Sequence, residues 1–333
     1  LLALRAIPLR DNREYTMPSW EFIQDMVLPK LLFMVLPALA AAALVMAAVE
    51  RLGGARQAAA GAALALCVGA FFGLWVHGTV QSDSLETTLA AFTDEQTLEE
   101  ALGAFGNALS LGQSTWNRLP WAILAALLIG RLAYLADVHA SDGWLFRGGT
   151  AIAVAWLLLP EKERDAFIWM APAFAAVIAA LWIVLDRLAT QPGSSSVAVC
   201  VILSLVVAGQ LMLHAHSLTM MDTLAVLGFA FTGVAVIAYW RGVEFGGAIP
   251  AVAVALPALL LMGQRTTDSK LPWFTFALPA CAPLLLAVTL PFTHWPKLGL
   301  HLLRLALVLA VLGATVAVAW HYEPLDFGGD GNE

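Results

Sequence analysis

The stretch SSSVAVCVILSLVVAGQLMLHAHSLTMMDTLAVLGFAFTGVAVIAYW, from Ser194 to Trp240, decides the fold. Its forty-seven residues carry one formal charge, Asp222, close to the middle. A single bilayer crossing takes about 20 apolar residues, so the run is long enough for two helices and a tight turn. The flanks, Val197 to Val207 and Leu224 to Ile237, are uncharged and apolar apart from Ser204 and Thr232. Between them Gln210, His214, His216, Thr219 and Asp222 make the densest polar cluster inside any apolar block of the chain. These residues predict a membrane hairpin with a polar elbow.

The rest of the chain has the same character. It has 333 residues, 60% hydrophobic and only 12% charged, with a mean hydropathy of +0.80. A soluble domain carries roughly a quarter charged residues, so this chain has too few to cover a water-facing surface. Continuous rather than alternating apolar runs exclude a β-barrel. The predicted class is all-α, a polytopic transmembrane helical bundle whose main partner is the lipid bilayer. Integral membrane placement follows, and a bacterial cytoplasmic membrane is the expected location.

The net charge of -7 is largely local. Asp83, Glu86, Asp94, Glu95, Glu99 and Glu100 share one connection, and Glu323, Asp326, Asp330 and Glu333 share the C-terminal tail. No basic patch suits nucleic acid. Cys67, Cys200 and Cys281 lie far apart inside apolar runs, which is not a disulfide framework; they read as small buried hydrophobes. Leu1 to Thr16 lacks the continuous apolar core of a signal peptide. It reads as an extension ahead of Met17, with a fragment of a longer protein as the competing explanation.

Ten spans are expected, within a bundle over 27–320 that follows an N-terminal extension and interfacial segment at 1–26. The first two, about Val27–Val49 and Ala58–Val80, are separated by Glu50-Arg51-Leu-Gly-Gly54. The second carries Gly69-Ala-Phe-Phe-Gly73, a spacing that clears one helix face for a neighbouring backbone. The 81–118 connection holds Thr93-Asp-Glu-Gln96, a capping-box spacing, and then Leu98, Ala101, Leu102, Phe105 and Leu109 at helical spacing. One amphipathic extramembrane helix is therefore predicted over about 94–110. The third span opens at Leu119-Pro120-Trp121 and contains Arg131. The fourth and fifth cover about 143–159 and 166–185. The hairpin supplies the sixth and seventh, and 246–262, 271–290 and 298–320 the last three. The stretch 321–333 reads as a disordered acidic tail. Six cations on one side against seven on the other decide no orientation.

Several residues invite chemistry. Residues two apart on a helix diverge by about 200°, so His214 and His216 share a ligand only if the backbone unwinds between them. His77, His214 and His301, each near a span end, are the candidates for haem. However, no C-x-x-C-H motif exists, and a histidine near headgroup depth or bonded to a backbone carbonyl is the plainer reading. No cofactor or metal site is assigned, and no phosphate loop, catalytic triad order or paired-carboxylate site is present. Arg131, deep in its span, needs a partner such as Asp222 or Asp137, or snorkels to the interface. Arg304, one turn from His301, reads as interfacial for the same reason. Pro250, Pro257, Pro279 and Pro283 interrupt two adjacent spans and free backbone carbonyls, which in lipid must find protein, water or solute.

These readings favour a small-solute permease whose route is lined by Arg131, Gln210, His214, Asp222 and Gln264 beside the proline-interrupted spans. The first alternative is a non-catalytic membrane subunit or assembly protein that packs against a membrane-protein partner or another copy of itself. The second is a membrane transferase on a lipid-linked substrate, which requires an essential carboxylate between Asp83 and Glu100.

Overall fold

The computed structural model describes residues 28–81, 119, 122–123, 125–129, 140–158 and 170–324, apart from 192, 268 and 293. Among the described residues every regular element is helical and no strand occurs. The order is α1 (Leu28–Gln81), α2 (Ala140–Leu158), α3 (Met170–Ala189), α4 (Ser194–His214) and α5 (Leu218–Arg241). A 3₁₀ turn, Gly246–Ala248, leads into α6 (Ile249–Thr266). Then α7 (Trp273–Cys281) continues as a 3₁₀ segment, Ala282–Phe292, before α8 (Lys297–Tyr322).

Six units are long and apolar enough to cross a bilayer: α3, α4, α5, Gly246–Thr266, Trp273–Phe292 and α8. The protein is thus an all-helical integral membrane protein with six candidate crossings among the described residues, not the ten expected. In α2 the apolar part is only Leu145–Leu158, short of a full crossing. Of the expected third span, residues 119, 122–123 and 125–129 are described and are helical, with Leu119, Ala122, Ala126 and Leu127 buried; Arg131 and the acidic helix over 94–110 lie outside the described residues.

The break expected at Glu50–Gly54 takes another form. Residues on both sides of it, Leu28 to Gln81, are helical. A straight helix would hold Val49 and Gly61 about 18 Å apart, yet Gly61 packs directly on the Val49 side chain. Gly69 likewise lies against Ala38 O and the Ala42 side chain. The chain therefore doubles back between Val49 and Gly61, giving two antiparallel arms. Small residues let three helices close here. A Cβ on Gly69 would lie 2.6 Å from Ala38 O and 3.1 Å from the Ala230 Cβ; one on Gly233 would lie 2.5 Å from Leu39 O. The first arm is thus pinched between Gly69 and Gly233 of α5, so the glycine face foreseen at Gly69 is a packing face.

The hairpin is as expected. α4 ends at His214 and α5 begins at Leu218. The Ser217 N–H bonds Met212 O at 2.9 Å and the His216 N–H bonds Leu213 O at 3.0 Å, the paired bonds of a Schellman ending. The left-handed position of that ending is His216, with φ 57. The same motif closes α5, where Gly242 takes that position at φ 67.

α4 and α8 run parallel. Near their starts Arg304 reaches Gly193 and Ser196, and near their ends Trp320 and Glu323 reach His214. From Arg304 to Glu323 is about 28 Å of helix, close to the hydrocarbon thickness of about 30 Å. The two contacts therefore mark two faces, an elbow face and a far face. Exposed aromatics follow that division. Trp273, Trp320 and Tyr322 ring the elbow face, and Tyr239, Trp240 and Trp295 the far one, as interfacial belts require. On the far face Arg147 pairs with Asp186, and Arg241 Nε lies 3.7 Å from Glu50 Oε2. Between these two marks α8 exposes Leu309, a side chain suited to lipid. α6 is the central helix, with 83% of its crossing window buried against 28% for α8.

Candidate functional site

At the elbow face the Schellman turn unwinds the backbone between the two histidines, which is the condition their convergence required. Both then reach Glu323. The His214 ring, 1% exposed, meets the Glu323 carbonyl oxygen through Nδ1 at 2.7 Å. A carbonyl only accepts, so Nδ1 carries the proton. His216 lies with Nε2 3.4 Å from Glu323 Oε2, and the other carboxylate oxygen accepts the Lys270 backbone N–H. The edge of Trp320 closes the His214 pocket, the ring centroids 5.8 Å apart. One glutamate thus ties the turn of the hairpin, the entry to α7 and the end of α8. The chain is helical through Tyr322, and Glu323, counted in sequence with the tail, is buried.

The other elbow candidates lie at the same depth without converging on that glutamate. Asp222 is buried in the second turn of α5, and Gln210 is half-buried in the last turns of α4. Gly263 of α6 packs directly on Met212, which brings half-buried Gln264 to the level of the elbow. A cleft of about 90 Å³ opens on another side of α6, lined by Leu158, Phe174, Ala258, Leu261, Met262 and Arg265, among others. Arg131 lies outside the described residues. Among the described residues no three His, Cys, Asp or Glu side chains come together as metal ligands.

The prolines act as expected on one span more than on the other. Pro250 stands in the first turn of α6, where its missing N–H costs nothing, and Pro257 lies inside that helix, buried. Past Pro279 the ninth expected span changes character. Eleven residues, Ala282–Phe292, run as 3₁₀ helix and include Pro283 and Pro291. Runs beyond three or four residues are uncommon in this conformation. The tighter winding also lengthens the span: Trp273–Phe292 covers about 35 Å.

Thr289 of this 3₁₀ segment leads to a group that the sequence reading placed wrongly. Arg304 does not snorkel out of the bundle; its side chain is 0% exposed, enclosed by α8, the 3₁₀ segment and the start of α4. Nε donates to Thr289 Oγ1 at 3.1 Å, and Nη1 donates to Gly193 O at 2.9 Å and Ser196 Oγ at 3.3 Å. Nη2 is buried with no hydrogen-bond partner. Snorkelling fails because the guanidinium faces the bundle on the stripe Leu300, Arg304, Val308, Leu312, Thr315 and Ala319, all buried. That stripe of fours and threes was the available signal. The opposite stripe, Leu298, Leu302 and Leu309, is equally apolar, and hydropathy alone does not say which one faces lipid.

The chain matches no protein-family model, and the comparison with curated proteins gives no match.

Proposed function

We propose that the protein is a small-solute permease, with its route running beside the elbow, α6 and the proline-interrupted span Trp273–Phe292. The observation that carries the reading is the change from α7 to the 3₁₀ segment within one span, beside a buried arginine. Interrupted helices with unpaired polar groups at membrane depth are the usual lining of solute sites. Ten crossings and a bacterial cytoplasmic membrane belong to the same proposal. The two arms of α1, each long enough for a crossing, support the higher count.

Reconstitution in proteoliposomes tests it. Charge movement or uptake is measured on a panel of labelled amino acids, carboxylates, phosphate and polyamines. A solute carried by the wild type is expected to lose at least about tenfold of its flux in Arg131→Leu and in Asp222→Asn, because each removes a charge from membrane depth. Unchanged flux in both variants rejects the route. The second reading, a non-catalytic membrane subunit, draws on the close packing of α6, buried along most of its length. It gains if no solute on the panel moves and a membrane protein co-purifies in fixed stoichiometry.

A further inference from the structure

We infer that the first turn of α4 and Arg304 form a binding site for a phosphate-type oxyanion. The inference is independent of transport. It starts from an imbalance. Arg304 is fully buried, yet its named partners, Thr289 Oγ1, Gly193 O and Ser196 Oγ, are neutral. Among the described residues no carboxylate pairs with it. A guanidinium has five N–H donors, and the two on Nη2 find no acceptor.

The neighbourhood sharpens the imbalance. α4 is 21 residues long, and its N-terminus carries about half a positive charge from aligned peptide dipoles. Arg304 meets that end through acceptors, Gly193 O and Ser196 Oγ, so the uncompensated side of the guanidinium is Nη2. The chain there reads Gly193-Ser194-Ser195-Ser196. Gly193 is left-handed at φ 83, and a Cβ on it would stand 3.2 Å from His301 Cε1 and 3.4 Å from Arg304 Nη1. Only glycine combines that backbone conformation with so close an approach. Ser194 and Ser195 are half-buried at the mouth of this turn. The Ser194 N–H bonds Gln191 O, and the N–H and hydroxyl of Ser196 both bond Gly193 O, so the donors offered to phosphoryl oxygens are Arg304 Nη2 and the Ser194 and Ser195 hydroxyls.

Depth narrows the source. Arg304 lies seven residues into α8, about 10 Å along the helix from Lys297 and near the level of the far-face aromatics. This is where lipid phosphates lie, and where a soluble phosphate would first meet the bundle. The chemistry is common to both.

The test uses the full chain, delipidated in a phosphate-free sugar detergent. One arm titrates inorganic phosphate and follows thermal unfolding. The other adds a short-chain phosphatidylglycerol and counts bound lipid by native mass spectrometry. Saturable binding in either arm, weakened at least about tenfold in Arg304→Gln, supports the site, and the arm that responds names the source. Arg304→Lys keeps the charge and loses the fork. It serves where the glutamine variant does not fold, and the same weakening is expected of it. The inference is overturned if the wild type binds neither probe, or if the arginine variants bind as the wild type does.

Discussion

Gly233→Leu is expected to leave little folded protein. At this position α5 touches the backbone of the first arm of α1, with Leu39 O 2.5 Å and Ala43 N 3.2 Å from where a Cβ would lie. The obstruction is main chain inside a helix, which cannot rotate away as a side chain can. Overpacking against side chains alone costs about 1–3 kcal/mol; a branched side chain against fixed backbone should exceed about 3 kcal/mol. Nor does lipid restore the loss. Helices in a bilayer associate by close packing rather than by escape from water, so parting α1 from α5 removes the attraction itself. The measurement is the monodisperse fraction on size exclusion, with resistance to unfolding in sodium dodecyl sulfate. Gly313→Leu is the control, because nothing lies within 4 Å of that position; it should change stability by no more than about 0.5 kcal/mol.

The elbow glutamate carries the second large effect. Glu323→Ala removes the acceptor for the Lys270 N–H and the partner of His216, but it leaves the main-chain oxygen that His214 holds. Hydrogen bonds to charged groups contribute about 1.5–3 kcal/mol each, so the midpoint of unfolding should fall by several degrees. Truncation after Trp320 removes the carbonyl as well and strands the buried His214 N–H. It should cost more than the alanine variant by roughly 1–3 kcal/mol. Equal losses in the two variants would mean that the His214 contact contributes nothing. His216→Gly separates backbone from side chain: it relieves the left-handed strain at φ 57 while removing the ring from Glu323.

The contrast between these sites shows which information the chain carries locally. The hairpin was legible because two apolar runs and a polar turn are contiguous, and because a bilayer fixes the length of a crossing. Histidines bonded to backbone carbonyls were foreseen in kind, and His214 is one. Glu323 was not, since composition assigns an acidic, glycine-rich end to solvent, and contacts with residues 53 to 109 positions earlier hold it in the bundle. Arg304 failed for a related reason. Its partners Gly193 and Ser196 are also distant in sequence, and in lipid the core-facing and outward stripes of a helix are both apolar. Gly53 and Gly54 suggested a broken helix, and the chain does reverse nearby. Gln210, Asp222 and Gln264 share a depth, and the flux experiment tests the role proposed for Asp222.

The central claim is that lipid is the solvent of this bundle, and a spin label at position 309 tests it most directly. Leu309 is 51% exposed near the middle of α8, while Tyr322 stands at its elbow end. With Cys67, Cys200 and Cys281 replaced by alanine, single labels at 309 and 322 are compared in liposomes by power-saturation paramagnetic resonance. The label at 309 should collide readily with dissolved oxygen and hardly at all with a water-soluble nickel chelate, and the label at 322 should show the reverse bias. Nickel access at 309 equal to that at 322 would place the middle of α8 in water and contradict the account.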